Sequence, residues 1–378
     1  MSLFGIHLTL LIGPTVPVPA PITLSDYIVS AQVTNTDSGR DGFQVTFSIG
    51  RNGPADIADY RILGNPLLRV FNRVILIVTI GVTPYVLIDG IITHQQLNPS
   101  NEPGQSTLTI TGEDVSVMMD MHEKSATYPN QPDYGVVTSL VLSYGQYGLA
   151  PLVIPPQSID VPVSSDWTPA QSTTDYKYIQ SLATNNNFVF FVAPTNIPMV
   201  NTAYWGPPVM IGASQTSLCF NMGNQTNVNS ISFEYDAMQP QLLSGQFVDR
   251  DTDSTLNVEV YSSTLPDLST MPAWLVNQPN VRSVLFQGNG INSLEAQARA
   301  QAASNGSTEA VTGTGEIDAL SYGGVLRARQ LVGLKGVGYS YDGLYYVKSV
   351  THNIKLGQYT QSFTITREGL GSLTQVLP

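Results

Sequence analysis

Residues 85–114 read YVLIDGIITHQQLNPSNEPGQSTLTITGED and residues 339–369 read YSYDGLYYVKSVTHNIKLGQYTQSFTITREG, and the order of signals in the two stretches is the same. Asp89-Gly90 and Asp342-Gly343 come first, followed by Thr93-His94 and Thr351-His352, then by Gly104-Gln105 and Gly357-Gln358. Thr109-Ile110-Thr111 and Thr364-Ile365-Thr366 come next, and Glu113 and Glu368 close the runs. Asp-Gly and Gly-Gln lie 15 residues apart in both stretches, while Gly-Gln and Thr-Ile-Thr lie 5 apart in one and 7 in the other. A difference of two leaves every strand side chain on its own face, because strand period is two. Asp-Gly also suits the positive-φ turn of a tight hairpin. The pattern predicts one antiparallel β-fold present twice, with a turn at each Asp-Gly and with His94 and His352 at matching strand positions.

Strand signals extend outward from these stretches. Phe43, Val45, Phe47 and Ile49 alternate with Gln44, Thr46 and Ser48, which puts one face in a core. Ile231, Phe233 and Tyr235 repeat the alternation. Val74–Val78 and Tyr85–Ile92 are continuous apolar runs, as in strands covered on both faces. The apolar start Leu3–Ile22 has no Lys or Arg, the first being Arg40, and is broken by Pro14, Pro17, Pro19 and Pro21. It reads as a strand, Ile6–Ile12, and an extended arm, not as a signal peptide or a membrane span.

Helical spacing is confined to three places. Val137, Leu140, Val141 and Tyr144 recur at three- and four-residue steps before Gly148. Thr174 precedes Asp175, and Tyr178, Ile179, Leu182 and Ala183 form one stripe before Asn185–Asn187. The third helix is expected over Ser293–Ser304, with Ser293 as its cap, Glu295 in its first turn and Gly306 as its stop. The fold class predicted is mainly β, two antiparallel β-barrels with a helix-containing α/β insertion between and across them.

Only about 12% of residues are charged, against roughly 25% in an average soluble protein, although the apolar fraction is ordinary at 42%. Uncharged polar residues, Gly and Pro make up the difference. Charge depletion of this kind marks interface cores, so the chain reads as a component of an assembly. A net charge of −12 without any basic cluster argues against nucleic-acid binding. The single Cys219 excludes an internal disulfide and leaves stability to packing and oligomerisation.

Thr174-Asp175-Tyr176-Lys177-Tyr178-Ile179-Gln180-Ser181-Leu182-Ala183, followed by Phe188-Val189-Phe190-Phe191-Val192, resembles a segment of phage late control D proteins. There a Thr-Asp-led helix precedes an aromatic strand. Asp41–Phe47, Asn65–Leu68, Asp89–His94, Gly112–Asp114, Ala203–Pro208 and Tyr339–Val347 look like the branch found in contractile injection systems. The resemblance spans nearly the whole chain and includes the hub part of type VI secretion spike proteins. It implies two tube-protein-like barrels. By element they would be residues 1–112 for the first and residues 213–247 with 312–368 for the second. The insertion domain would be residues 113–212 with 248–311, and residues 369–378 a C-terminal tail.

The same resemblance implies a structural baseplate hub, assembled in the cytoplasm into a phage tail or contractile injection particle. As a homotrimer it would form a pseudo-hexameric ring joining the six-fold inner tube to the three-fold spike. Expected partners are itself, a separate spike protein, an inner tube or tube-initiator protein and baseplate wedge proteins, with no membrane insertion. The tail, residues 369–378, is the expected spike or inter-subunit contact.

No catalytic, cofactor-binding or metal residue is expected. Gly-x-Ser-x-Gly, phosphate-loop and His-Glu-x-x-His patterns are absent. Cys219 sits between Leu218 and Phe220, a setting for a buried, inert thiol. Asp249, Asp251 and Asp253 imitate a calcium loop, but Ser254 and Val260 stand where that loop needs Gly and Glu. Asp120, His122 and Glu123 lie too close along the chain to converge on a metal, and Gly288-Asn-Gly290 is a turn rather than a dinucleotide loop. The competing reading, a tail-associated cell-wall-degrading enzyme, lacks a stretch of chain long enough for a further catalytic module. A carbohydrate-binding β-protein is a third, with 18 Tyr and 3 Trp dispersed along the chain.

Overall fold

The computed structural model describes residues 2–3, 5–50, 60, 62–102, 104–156, 161–163, 168–288 and 290–373. Alternation along Gly42–Ile49 buries Phe43, Val45, Phe47 and Ile49 and turns Gln44 outward. Those residues share one core with Leu8, Leu10 and Ile12, Val74, Leu76 and Val78, Leu87, Ile88 and Ile92, Leu108 and Ile110, and Ala31 and Val33. A single cluster drawn from six strands requires the sheet to curl round it. Each fully buried aliphatic or aromatic side chain there contributes about 1.5–3 kcal/mol.

Those six strands run in the order Ile6–Gly13, Arg73–Ile80, Thr83–Asn98, Ser106–Asp114, Gly42–Ile49, Ile28–Thr36. A second run follows in the same sheet, in the order Gln215–Cys219, Leu331–Lys335, Gly343–Lys355, Gln358–Arg367, Val311–Asp318, Val228–Tyr235. Corresponding neighbours pair antiparallel in both runs, except that Gln215–Cys219 lies parallel to Leu331–Lys335. The mainly β architecture is therefore one strand order used twice.

Irregularities fix the correspondence residue by residue. A bulge falls between Ile28 and Ser30 in one run and between Val228 and Ser230 in the other. A second falls between Ile92 and His94, and between Val347 and Ser349. Phe71 and Arg329 are both non-glycine residues with φ 67°, each just before the second strand of its run. The Phe71 amide donates to the Ile92 carbonyl at 2.8 Å, and the Arg329 amide donates to the Val347 carbonyl at 2.7 Å. Bulges bend a strand at a chosen point and left-handed non-glycine residues are costly, so their recurrence at matched positions is a property of the repeated fold.

This correspondence corrects two expectations. His94 matches Ser349, not His352. Asp89-Gly90 lies inside the 16-residue strand Thr83–Asn98, and the hairpin turn is Gly81-Val82, with Gly81 at φ 61°. Asp89 stays in the strand because its buried carboxylate is bound by Arg73, as described below.

The region after the first run forms a three-stranded sheet, Leu149–Val153, Asn201–Gly206 and Val189–Pro194, under helices Asp133–Leu142 and Asp175–Asn185. Thr174 caps the second helix and its Ile179 and Leu182 face the buried Trp205 cluster, as the spacing predicts. Gly148 must be glycine: its φ is 74° and a Cβ would sit 1.9 Å from the Met199 carbonyl oxygen. A smaller lobe packs Ala296 and Ala300 of helix Ser293–Gly306 on strands Gln241–Val248, Thr255–Val260 and Arg282–Phe286. The cap of that helix is Asn292, whose Oδ1 accepts from the Glu295 amide at 2.8 Å, so the helix starts at Ser293 instead of being capped by it. Gly369–Ser372 is a strand paired with Ser269–Pro272, while residues 374–378 lie outside the described residues.

Candidate assembly surfaces

The two runs meet at a seam inside the chain. Seven residues of each strand pair antiparallel, from Ser349 opposite Thr36 to Lys355 opposite Ser30. The Thr34 and Thr351 hydroxyls lie 3.1 Å apart and Gln32 donates to Asn353 Oδ1 at 2.9 Å. On the inner face, Val33 and Ile354 are buried. Arg329 closes one end: its Nε donates to the Thr36 carbonyl at 2.8 Å, its guanidinium pairs with Asp41, and the plane lies 4.2 Å from the Phe191 ring centroid. Asp41 is held further by the Asn35 amide at 2.8 Å and the Thr36 backbone amide at 2.9 Å.

Buried ionisable groups line this seam. The Asn35 side-chain amide donates to Asp41 Oδ2 and to the Leu87 carbonyl, which leaves Asn35 Oδ1 to accept from His352 Nε2 at 3.2 Å. His352 Nδ1 then accepts from the Tyr359 hydroxyl at 3.0 Å, so the imidazole is the neutral Nε2–H form. Burial, with Arg327 nearby, lowers its pKa to about 3. Burial beside the Asp41 carboxylate raises the pKa of Asp114. Burial also raises Asp37 to about 6 against the opposing pull of Lys348.

The insertion is tied to the first run by a second buried cluster. Arg73 grips Asp89 with two bonds of 2.7 Å and donates to the Tyr147 carbonyl at 2.8 Å, while the Asn201 amide donates to Asp89 at 2.9 Å. Periodicity could not reveal it, because a charged pair inside two apolar strands looks like two interruptions. Arg40 bridges Glu113 and Asp120 over the Tyr176 ring, 4.2 Å from its centroid.

The two segments that correspond to the sides of the seam are open on one side among the described residues. Val228–Tyr235 pairs only with Val311–Asp318, and Ile231, Phe233 and Tyr235 stay half-buried along it. His94–Asn98 pairs with Ser106–Asp114 on one side, but its pairing with Arg73–Ile80 on the other ends at Ile91.

The residues singled out for chemistry do not gather. Cys219 is buried and its thiol pKa is raised by burial. Asp249 accepts from the Thr252 hydroxyl at 2.7 Å in a turn where Asp253 has φ 52°. Asp120 is taken by Arg40 and Thr174, while His122 and Glu123 are exposed. His94 is exposed and distant in role from the buried His352. Of the glycine pair, Gly290 has φ 68° and residue 289 lies outside the described residues. Among the described residues no three His, Cys, Asp or Glu are placed to hold a metal, and no helix is long and apolar enough to cross a membrane.

No protein-family model matches the sequence, and no curated protein matches it. Solved structures do. A tail protein from Neisseria meningitidis MC58 superposes with a TM-score of 0.64 at 12% identity, over 97% of this chain and 98% of that one. The 43 kDa tail protein of prophage MuSo2 from Shewanella oneidensis gives 0.66 at 10% identity, over 96% and 98%. A type VI secretion component of Escherichia coli, described as similar to the bacteriophage T4 tail proteins gp27 and gp5, gives 0.54 at 10% identity over 93% and 77%. At such identities the likeness is one of fold. The chain has the fold of these phage and prophage tail proteins and of the type VI secretion component.

Proposed function

We propose that this chain is the structural, non-enzymatic hub of a contractile tail baseplate, a homotrimer whose six similar strand runs form one ring between a six-fold tube and a three-fold spike. The observation that carries this reading is the repeated strand order with its matched bulges. Three copies of a twice-used fold present six-fold and three-fold symmetry on one body. The tail and secretion-system proteins of the same fold support the same role. The spike protein would dock on one rim and tube-type subunits on the other, with baseplate wedge proteins outside, and assembly would take place in the cytoplasm without membrane insertion. Residues 1–112, and residues 213–247 with 312–368, would be the two ring domains, and the rest the peripheral insertion and tail.

Mass photometry of the purified chain, alone and with the spike protein of its own particle, tests the reading. A trimer is expected, and a chain that stays monomeric beside its spike contradicts it. Incubation with peptidoglycan is expected to release no soluble fragments.

A further inference from the structure

The seam inside the chain is a template for a seam between chains. Its two sides are the inner-edge strand Ile28–Thr36 and the bulge-distal half of Gly343–Lys355. The counterparts of those two segments are Val228–Tyr235 and His94–Asn98, and both are open on the side where the internal seam is paired, among the described residues. The contrast in burial is direct. Val33 is 0% and Ala31 2% exposed under the internal seam, while their counterparts Phe233 and Ile231 remain half-uncovered. Edges of this kind invite pairing.

We infer that strand Val228–Tyr235 and the following Asp236 of one copy pair antiparallel with His94–Asn98 of a second copy, in the register of the internal seam. This rests on the trimeric ring proposed above and specifies its contact. Carrying the internal pairs across places His94 opposite Asp236, Gln95 opposite Tyr235, Gln96 opposite Glu234, Leu97 opposite Phe233 and Asn98 opposite Ser232. The chemistry agrees at three of the five: an imidazole meets a carboxylate, a carboxamide meets a carboxylate, and the one aliphatic residue meets an aromatic ring. Pro99 would fall on a position that needs a backbone donor, so the seam stops at five pairs where the internal one has seven. The counterpart of the bond from the Asp37 amide to the Lys348 carbonyl, 3.0 Å, is one from Ala237 to Thr93.

Phe71 stands where Arg329 closes the internal seam. It keeps the same left-handed backbone, is 57% exposed, and has the 64% exposed Met238 at the corresponding turn of the other edge. The ion pair of the internal joint is thereby exchanged for an apolar contact between copies. That exchange makes the two joints of the ring chemically distinct and fixes which edge meets which.

Cross-linking tests the register. Gln96 and Glu234 correspond to Thr351 and Thr34, the pair whose side chains touch in the internal seam, and both are exposed, so Q96C and E234C leave the fold intact. Opposed Cβ atoms in such a pair are close enough for a disulfide, whereas diagonal ones at about 7–8 Å are not. Under the conditions that give trimer, oxidised Q96C/E234C is expected to run as a covalent trimer on a denaturing gel, and Q96C/S232C as monomer. F71G, which relieves a left-handed non-glycine residue, is expected to keep or raise the monomer melting temperature and to weaken trimerisation about tenfold or more. A trimer in which Q96C/E234C stays unlinked, or Q96C/S232C links equally well, overturns the seam and leaves the trimeric hub standing. Monomers throughout, spike present, overturn both.

Discussion

His352 is the residue through which acid should loosen the internal seam. Its pKa is lowered from the ordinary imidazole value to about 3 by burial, so the unfolded chain takes up a proton near pH 6.5 that the folded chain refuses. Stability from this group is present above pH 6.5 and is lost as pH falls toward 3. Denaturant unfolding at pH 7 and pH 5 should show a loss on the order of 2 kcal/mol from this residue, absent in His352→Gln. Asp37, raised to about 6 by burial, acts with the opposite sign, its contribution being present below pH 4 and lost through pH 6, so the difference between the two proteins is the informative quantity. Asp89 is a second test. With Arg73 and Asp89 both buried and doubly bonded, Asp89→Ala strands a guanidinium and should cost about 3–5 kcal/mol, whereas replacing both partners by apolar residues should cost much less.

Elements show why the duplication was only half legible. Phe43 faces Gly112 across neighbouring strands, and the counterpart pair is Gly313 facing Ile365. Large and small have changed sides, so the volume between the strands is kept while neither residue matches. A Cβ on Gly112 would stand 2.1 Å from the Ile91 carbonyl oxygen and 2.5 Å from the Phe43 ring. Gly112→Ala should therefore cost about 1–3 kcal/mol in thermal or denaturant unfolding, since backbone cannot give way as a side chain can. The helix expected to stop at Gly148 ends at Leu142, and Gly148 closes a separate 3₁₀ turn over Gly145–Tyr147. Alternation from Phe43 to Ile49 and the Thr174 start were readable because each rests on local rules. The bulges at Ser30 and Ser230, the Phe71 and Arg329 backbones and the Arg73–Asp89 pair were not, because long-range pairing decides them. Asp89-Gly90 is the clearest case: a strong local turn signal yields to a buried ion pair that keeps it in a strand. Gly369 likewise reads as the start of a tail, and a partner strand about 100 residues earlier makes it sheet.

Across the whole molecule, one curved sheet carries two copies of a six-strand order, joined by a seam whose counterparts are the terminal strand Val228–Tyr235 and the half of Thr83–Asn98 that runs past its pairing with Arg73–Ile80. A low charge content fits a surface largely covered in use, and the insertion is held to strands of the first run by the buried Arg73–Asp89 cluster and by Ile91 in its apolar core. The most direct test is a reconstruction of the chain bound to its spike, made without imposed symmetry. Three copies should enclose the axis, with six strand runs that superpose under sixfold rotation and alternate between the Arg329 joint and the Phe71 joint. Any other copy number, or runs lying at two different radii, would contradict the hub.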